Sequence, residues 1–296
     1  MSANEPRPEA APQAPHRRWG RVGERGALYP LPPEVTAAKL SFRGVGRTYR
    51  NVRGEPIEAI REVTFDVAPG EFVCILGPSG CGKTTILNIL AGLDRPTVGE
   101  ALMDGRPIPA PGPDRAMLFQ EPALFPWLSV RGNVEFALKL IGVPPEQRGD
   151  RASQWLRKVH LSRFADAQPH ELSAGMRQRA VLARALACEP DVLLADEPFG
   201  ALDAQARELL QDELQRVWVE DRKTFVFVTH NVREAVFLAD RVLLMSAPPG
   251  TFLEEQRIRT PRPRNYEDVL IAKTVADIHE HLVQEVGKVV AREMGE

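Results

Sequence analysis

Several stretches of the chain are apolar almost end to end: Phe72-Val73-Cys74-Ile75-Leu76, Val192-Leu193-Leu194-Ala195, Thr224-Phe225-Val226-Phe227-Val228-Thr229 and Arg241-Val242-Leu243-Leu244-Met245. Short continuous runs of this kind predict strands covered on both faces, as in a parallel core sheet. Upstream, Leu40 to Tyr49 and Ile57 to Val67 alternate with a period near two, and the turn-rich Asn51-Val52-Arg53-Gly54-Glu55-Pro56 separates them. That pattern predicts an antiparallel β layer leading into the core. Gly99 to Gly105 reads as a strand entering a turn. Prolines 107, 109, 111 and 113 then break regular structure, and Arg115 to Phe119 reads as a further strand with Gln120 at its end.

Helical spacing dominates elsewhere. Ile86 to Ala91 continues as a helix. From Val130 to about Phe164, Val134, Ala137, Leu138 and Ile141 share one face and Trp155, Leu156 and Val159 another, with Pro144-Pro145 between them. This predicts a helical insertion outside the sheet. Leu172 to Arg179 opens a helix that runs through Leu186, with Ser173 suited to cap its start. Beyond Tyr266, the residues Ile271, Val275, Ile278, Leu282, Val286 and Val289 form one apolar stripe. It is expected to pack on the chain's own surface or on a second copy. Strands interleaved with helices give an α/β fold class.

Composition narrows this little. The 296 residues can bury one large core or two modest ones, and 26% charged with 43% hydrophobic residues is ordinary for a globular protein. A net charge of −2 gives no bulk electrostatic reason to expect a nucleic-acid partner. Cys74, Cys81 and Cys188 are too few and scattered for a disulfide framework or a zinc site, which fits a reducing cytosol. No apolar run approaches the ~18 residues of a membrane span, so the chain is expected not to cross a membrane by itself. Residues 1–36 are rich in Pro, Ala and Arg with no apolar core, so they are expected to form a disordered tail rather than a signal peptide.

The candidate chemistry sits at the ends of the strands. After Leu76 comes Gly77-Pro78-Ser79-Gly80-Cys81-Gly82-Lys83-Thr84-Thr85, the G-x-x-x-x-G-K-[ST] pattern between strand and helix. Glycines there let backbone N–H groups face a phosphate, and the helix start adds a positive dipole end. Lys83 suits the β- and γ-phosphates and Thr84 a Mg²⁺ ion, so the segment predicts binding of a nucleoside triphosphate. Asp196 and Glu197 end another buried strand, where Asp196 can hold Mg²⁺ and Glu197 can polarise a water. Gln120 and His230 also fall at carboxyl ends of strands, the ligand side of such sheets. Tyr49 can stack on a purine ring or simply pack within its hairpin. Cys81, at a helix start, is either a thiol of lowered pKa that ATP would protect or an inert small residue.

Taken together these segments, from about Leu40 to Arg264, resemble the ATP-binding subunit of an ATP-binding cassette (ABC) transporter. The resemblance implies a P-loop NTPase cassette, residues 37–264, with a mixed core sheet, an antiparallel β layer and a helical subdomain at about 121–187, followed by a C-terminal extension, 265–296. It also implies roles. Tyr49 matches the adenine-stacking aromatic and Gly77 to Thr85 the phosphate loop. Gln120 matches the loop that senses Mg²⁺, Asp196 the Mg²⁺ acid and Glu197 the catalytic acid. His230 matches the switch histidine and Asp203, in Ala201-Leu202-Asp203, the dimer-contact loop. Ser173, Ala174, Gly175 and Met176 match the family signature, which in that family meets the ATP held by a partner subunit. Where the family usually has glycine this chain has Ala174; if that position needs φ > 0, alanine costs about 1 kcal/mol or more.

A finer resemblance, carried by Phe119 to Val130, Met176, Glu234 to Arg241 and Pro261-Arg262-Pro263-Arg264, is to importers of nitrate, sulfonate and taurine. It implies ATP and Mg²⁺ as cofactors, hydrolysis of ATP, and a head-to-tail dimer of two copies. Transmembrane permease subunits and, indirectly, a solute-binding protein would be partners, with the chain peripheral on the cytoplasmic face of the inner membrane. A soluble ABC ATPase with a non-transport role and a non-hydrolysing regulatory cassette remain as alternatives.

Overall fold

A computed structural model describes residues 20–21 and 37–294, with side chains over 37–287. Its strands are β1 (Gly20–Arg21), β2 (Leu40–Arg50), β3 (Pro56–Val67), β4 (Phe72–Leu76), β5 (Val98–Met103), β6 (Arg106–Pro107), β7 (Arg115–Leu118), β8 (Val192–Asp196), β9 (Thr224–Thr229), β10 (Arg241–Met245) and β11 (Phe252–Arg257). The helices are α1 (Lys83–Ala91), α2 (Val130–Leu140), α3 (Pro145–Lys158), α4 (Ala174–Ala187), α5 (Ala204–Asp221), α6 (Val232–Leu238) and α7 (Val269–Met294).

The strands form two sheets. One has the order β1-β11-β10-β4-β9-β8-β7, the other β3-β2-β5-β6. In the first, β10, β4, β9, β8 and β7 are parallel, and β11 and β1 join antiparallel at one edge, so the sheet is mixed. The second sheet is antiparallel throughout.

Period-two side-chain alternation explains why the apolar runs lie in the middle. Phe72, Cys74 and Leu76 of β4, with Phe225 and Phe227 of β9, face the core built with α2 to α7. Val73 and Ile75, with Val226 and Val228, face the opposite core beneath α1 and the antiparallel sheet. Both faces are therefore apolar, and the backbone ends are what remain available for chemistry. Phe72 stacks on Phe225 at 4.7 Å between ring centres, with Trp218 edge-on at 6.0 Å.

Helices α2, α3 and α4 pack on one another beside the sheet rather than within it. Pro145 is not a break between helices but the first residue of α3, where its missing N–H costs nothing. Along the C-terminal stripe, Ile271, Ile278 and Leu282 are buried in the chain's own core, while Val286 is exposed. Val289 lies outside the described side chains.

Pro107, expected to break regular structure, instead lies in the short strand β6 paired with β5, and further features differ from the sequence reading. β11 was not anticipated, because Phe252-Leu253-Glu254-Glu255-Gln256-Arg257 is mostly polar; it forms by pairing with the edge of β10. The N-terminal tail lies outside the described residues except for Gly20–Arg21, which pair with Glu255 and Glu254 of β11 instead of standing free. A strand at a sheet edge offers unpaired backbone groups that such a segment can meet.

Candidate functional site

The loop between β4 and α1 turns on glycines for two separate reasons. Gly80 and Gly82 have φ of 76° and 96°, which L side chains rarely adopt. Gly82 also has no room: a Cβ there would lie 2.3 Å from Ile60 Cγ2 and 2.9 Å from the Ala59 carbonyl oxygen. The first helical residue after this loop is Lys83 itself, only 5% exposed. Its ammonium donates to the carbonyls of Gly77 at 3.0 Å and Pro78 at 2.9 Å and stands 3.6 Å from Glu197 Oε1. The positive charge is thus held inside the turn of Gly77, Pro78, Ser79 and Gly80.

The end of β8 comes to this loop. Thr84 Oγ1 donates to Asp196 Oδ1 at 3.1 Å. Burial, seconded by the like charge of Glu197, raises the Asp196 carboxyl above its usual range, although the Thr84 bond and Lys83 pull the other way. A hydroxyl and a partly desolvated carboxylate at this spacing are hard oxygen donors suited to a small divalent cation. Glu197 takes φ of 44°, a conformation sparsely populated by residues with a side chain. Its backbone N–H donates to the Val228 carbonyl at 3.0 Å, and its carboxylate lies between Lys83 and His230, whose Nδ1 is 2.7 Å from Glu197 Oε2. Backbone strain concentrated on a residue that touches two other candidates is characteristic of functional sites.

Gln120, just beyond β7, is exposed and approaches Gly200, where an added Cβ would lie 3.9 Å from its Nε2. Tyr49 donates to Asp94 Oδ2 at 2.7 Å, and its hydroxyl is 3.4 Å from Thr85 Oγ1. One face of its ring is taken by Arg47, 4.6 Å from the centre and itself paired with Asp94 at 2.7 Å. The sequence reading missed both Arg47 and Asp94.

The segment Ser173 to Met176 lies elsewhere. Ser173 caps α4 by accepting from the Met176 N–H at 3.3 Å. Asp203 caps α5 in the same way, accepting from Ala206 at 2.9 Å. A Cβ on Gly175 would meet only the Ala206 methyl, at 3.7 Å, so nothing within the chain requires glycine there. Among the described residues no hydrogen bond or ion pair joins this segment to the Gly77–Thr85 loop.

Two expectations need correction. Ala174 is the first residue of α4 and is not among the residues of positive φ, so the strain expected of alanine there does not arise. Cys81 does start near a helix, but its thiol is fully buried with its Sγ 4.0 Å from Met245 Sδ. Burial raises its pKa; Lys83 and nearby backbone N–H groups pull it down less strongly. The reactive reading of Cys81 fails on desolvation.

Residues 60–200 match the family described as ABC transporter. The chain is 45% identical over 234 residues to the nitrate import ATP-binding protein of Synechocystis sp., covering 77% of this chain and 88% of that protein. It is 51% identical over 197 residues to the taurine import ATP-binding protein of Mesorhizobium japonicum, covering 67% and 77%. A dimeric, post-hydrolysis ATP-binding cassette bound to ADP and Pi superposes with a TM-score of 0.65 at 35% identity, covering 75% of this chain and all of that one. The chain therefore belongs to the ABC transporter ATP-binding family, a family of ATPases, and has its α/β cassette fold.

Proposed function

We propose that this chain is the ATP-hydrolysing subunit of an ABC importer for a small anion such as nitrate, a sulfonate or taurine. The observation that carries the hydrolytic part is Glu197, held at positive φ between His230 and Lys83 at the mouth of the phosphate loop. In this reading the backbone of Gly77 to Thr85 and Lys83 bind the phosphates of ATP. Thr84 and Asp196, with Gln120, would hold Mg²⁺, which would neutralise charge on the β- and γ-phosphates. Glu197 orients the attacking water, and His230 keeps Glu197 and the γ-phosphate in register. Tyr49 offers its ring to the adenine.

The separation of Ser173, Ala174, Gly175 and Met176 from the phosphate loop supports a site completed by a second copy, with Asp203 at the contact. Gly175, free of internal crowding, then leaves its backbone open to the partner's ATP. Transmembrane permease subunits would dock where Phe119 and Trp127 are exposed, Trp127 at 73%. In this reading the chain is peripheral on the cytoplasmic face of the membrane, with a solute-binding protein as an indirect partner and no nucleic acid. No helix among the described residues is long and apolar enough to cross a membrane.

The test has two arms. The purified chain should release phosphate from ATP in the presence of Mg²⁺, and Lys83→Ala should abolish it. Co-expressed with a permease and solute-binding protein, it should drive uptake of labelled nitrate, sulfonate or taurine. Phosphate release without uptake of any of these would remove the importer assignment and leave the ATPase.

A further inference from the structure

Beside His230 lies a row of buried polar side chains that the proposed hydrolysis does not use, two of which, Thr229 and Glu234, line the same cavity as Glu197 and His230. Gln211 of α5 and Glu234 of α6 are 1% and 4% exposed, and Thr229 at the end of β9 is 2% exposed. Polar groups this deep are retained only when paired, and the pairing here has a single direction. Burial pushes the Glu234 carboxyl up, while its hydrogen bonds pull the other way, and the Gln211 amide donates to it from Nε2 to Oε1 at 2.7 Å. That orientation leaves Gln211 Oε1 to accept from the Tyr266 hydroxyl. On the other side Thr229 Oγ1 accepts from the Asn231 backbone N–H at 3.0 Å, which frees its own proton for Glu234. Asn231 Oδ1 closes the ring by accepting from the Glu234 N–H at 3.3 Å.

Tyr266 is fixed in place by the segment after β11. Its ring stacks on Phe237 at 4.1 Å and 8°. Two residues earlier, the backbone of Arg264 is matched to Gln215 of α5 through N–H to Oε1 at 2.8 Å and Nε2 to carbonyl at 3.4 Å. The Arg264 guanidinium donates to the Val236, Phe237 and Ala239 carbonyls at the end of α6. Helix α6 has only seven residues, too few to hold its ends by internal hydrogen bonds alone. His230 lies just before its Asn231 cap, and its end is held by this segment.

We propose that Tyr266, Gln211 and Glu234 are positioning residues for His230: through Thr229 and Asn231 they hold the turn that sets its imidazole against Glu197. The segment that begins at Arg264 thereby sets the rate of the site through these side chains. This rests on the hydrolytic reading above for its rate measurement but not for its exchange measurement.

The experiment uses the full chain and compares it with Tyr266→Phe, Glu234→Gln and the double exchange Gln211→Glu with Glu234→Gln. Tyr266→Phe keeps the stacking ring and removes one hydrogen bond. It should lower kcat for ATP about fivefold, the rate equivalent of one such bond, with KM unchanged, while the unfilled Gln211 Oε1 acceptor lowers Tm by only about 2–4 °C. Amide exchange at Asn231 should quicken by a similar factor. Glu234→Gln should do the same, because its amide then points a donor at Gln211 or at Thr229. The double exchange restores one donor and one acceptor at each junction and should recover both readouts. Unchanged kcat and unchanged Asn231 exchange in both single variants would overturn the proposal. So would a rate loss that merely tracks a fall in Tm and is not recovered by the double exchange. If the parent chain releases no phosphate, the hydrolytic reading falls, and exchange at Asn231 alone decides the positioning.

Discussion

His230 Nδ1 lies 2.7 Å from Glu197 Oε2, while the other oxygen of the same carboxylate faces Lys83 at 3.6 Å. One carboxylate is therefore oriented from both sides, and its backbone is held at φ of 44° by a hydrogen bond to Val228. An amide in its place keeps the shape but cannot take a proton from water. Glu197→Gln should still bind ATP and should accumulate as a closed dimer, with phosphate release reduced at least about 100-fold. Phosphate release and gel filtration with ATP check both halves, and normal turnover would rule out Glu197 as the group that activates water.

Asp196 makes the site sensitive to acid. Its carboxyl is raised, first by burial and then by Glu197, and only the ionised form is a good ligand for a divalent cation. As pH falls through this raised value the proton competes with the metal. The acid limb of the Mg²⁺-dependent ATPase should thus begin at a higher pH than an exposed aspartate, near 3.9, would give. Raising the Mg²⁺ concentration should move that limb to lower pH. Rate–pH profiles at two Mg²⁺ concentrations check it.

The site was legible in the sequence where chemistry follows the chain locally. Gly77 to Thr85, Asp196-Glu197 and His230 each end a run of buried strand, so one-dimensional pattern and position in the sheet coincide. The support behind them was not legible. Gln211, Glu234 and Tyr266 lie far apart in sequence, and a glutamine or glutamate on a helix reads as solvated until the fold buries it. Arg264 was noticed only as part of Pro261-Arg262-Pro263-Arg264. Its use, holding the end of α6, depends on a return of the chain that no local pattern predicts. For Cys81 the sequence leaves two readings open, because helix position favours a low pKa, and only the burial of the thiol decides for the inert one.

That burial has a direct consequence for labelling. Burial raises the pKa of all three thiols, but Cys74 and Cys81 are fully buried whereas Cys188 is partly exposed at the end of α4. Alkylation of the native protein followed by peptide mass spectrometry should modify Cys188 first and leave Cys81 unmodified with or without ATP. Rapid ATP-protected labelling of Cys81 would contradict the packing.

Ala174 should be a good residue where it stands. It opens α4 directly after the Ser173 cap, and alanine is the best helix former. Ala174→Gly should not raise steady-state ATPase and should lower stability by about 0.5 kcal/mol, toward the low end of the alanine-to-glycine cost because the site is terminal. Urea unfolding and phosphate release measure the two effects, and a marked gain in activity would show that alanine does hinder the signature.

Arg264 is the most demanding of the buried charges. Burial, with repulsion from Arg262, pushes it down to about 9, so it remains charged at neutral pH inside the fold. It is 4% exposed and is neutralised chiefly by the dipoles of carbonyls at the end of α6, where a cation is favoured. Replacing it by methionine keeps much of the volume but leaves the Val236, Phe237 and Ala239 carbonyls without their donor. Unfilled acceptors at that depth should destabilise the chain by about 3 kcal/mol. Lysine keeps the charge but not the planar fork that reaches several carbonyls at once, so Arg264→Lys should recover only part of the loss. Urea unfolding of the two variants tests this ordering. Equal stability of Arg264→Met and the parent would mean that α6 holds its end without the arginine.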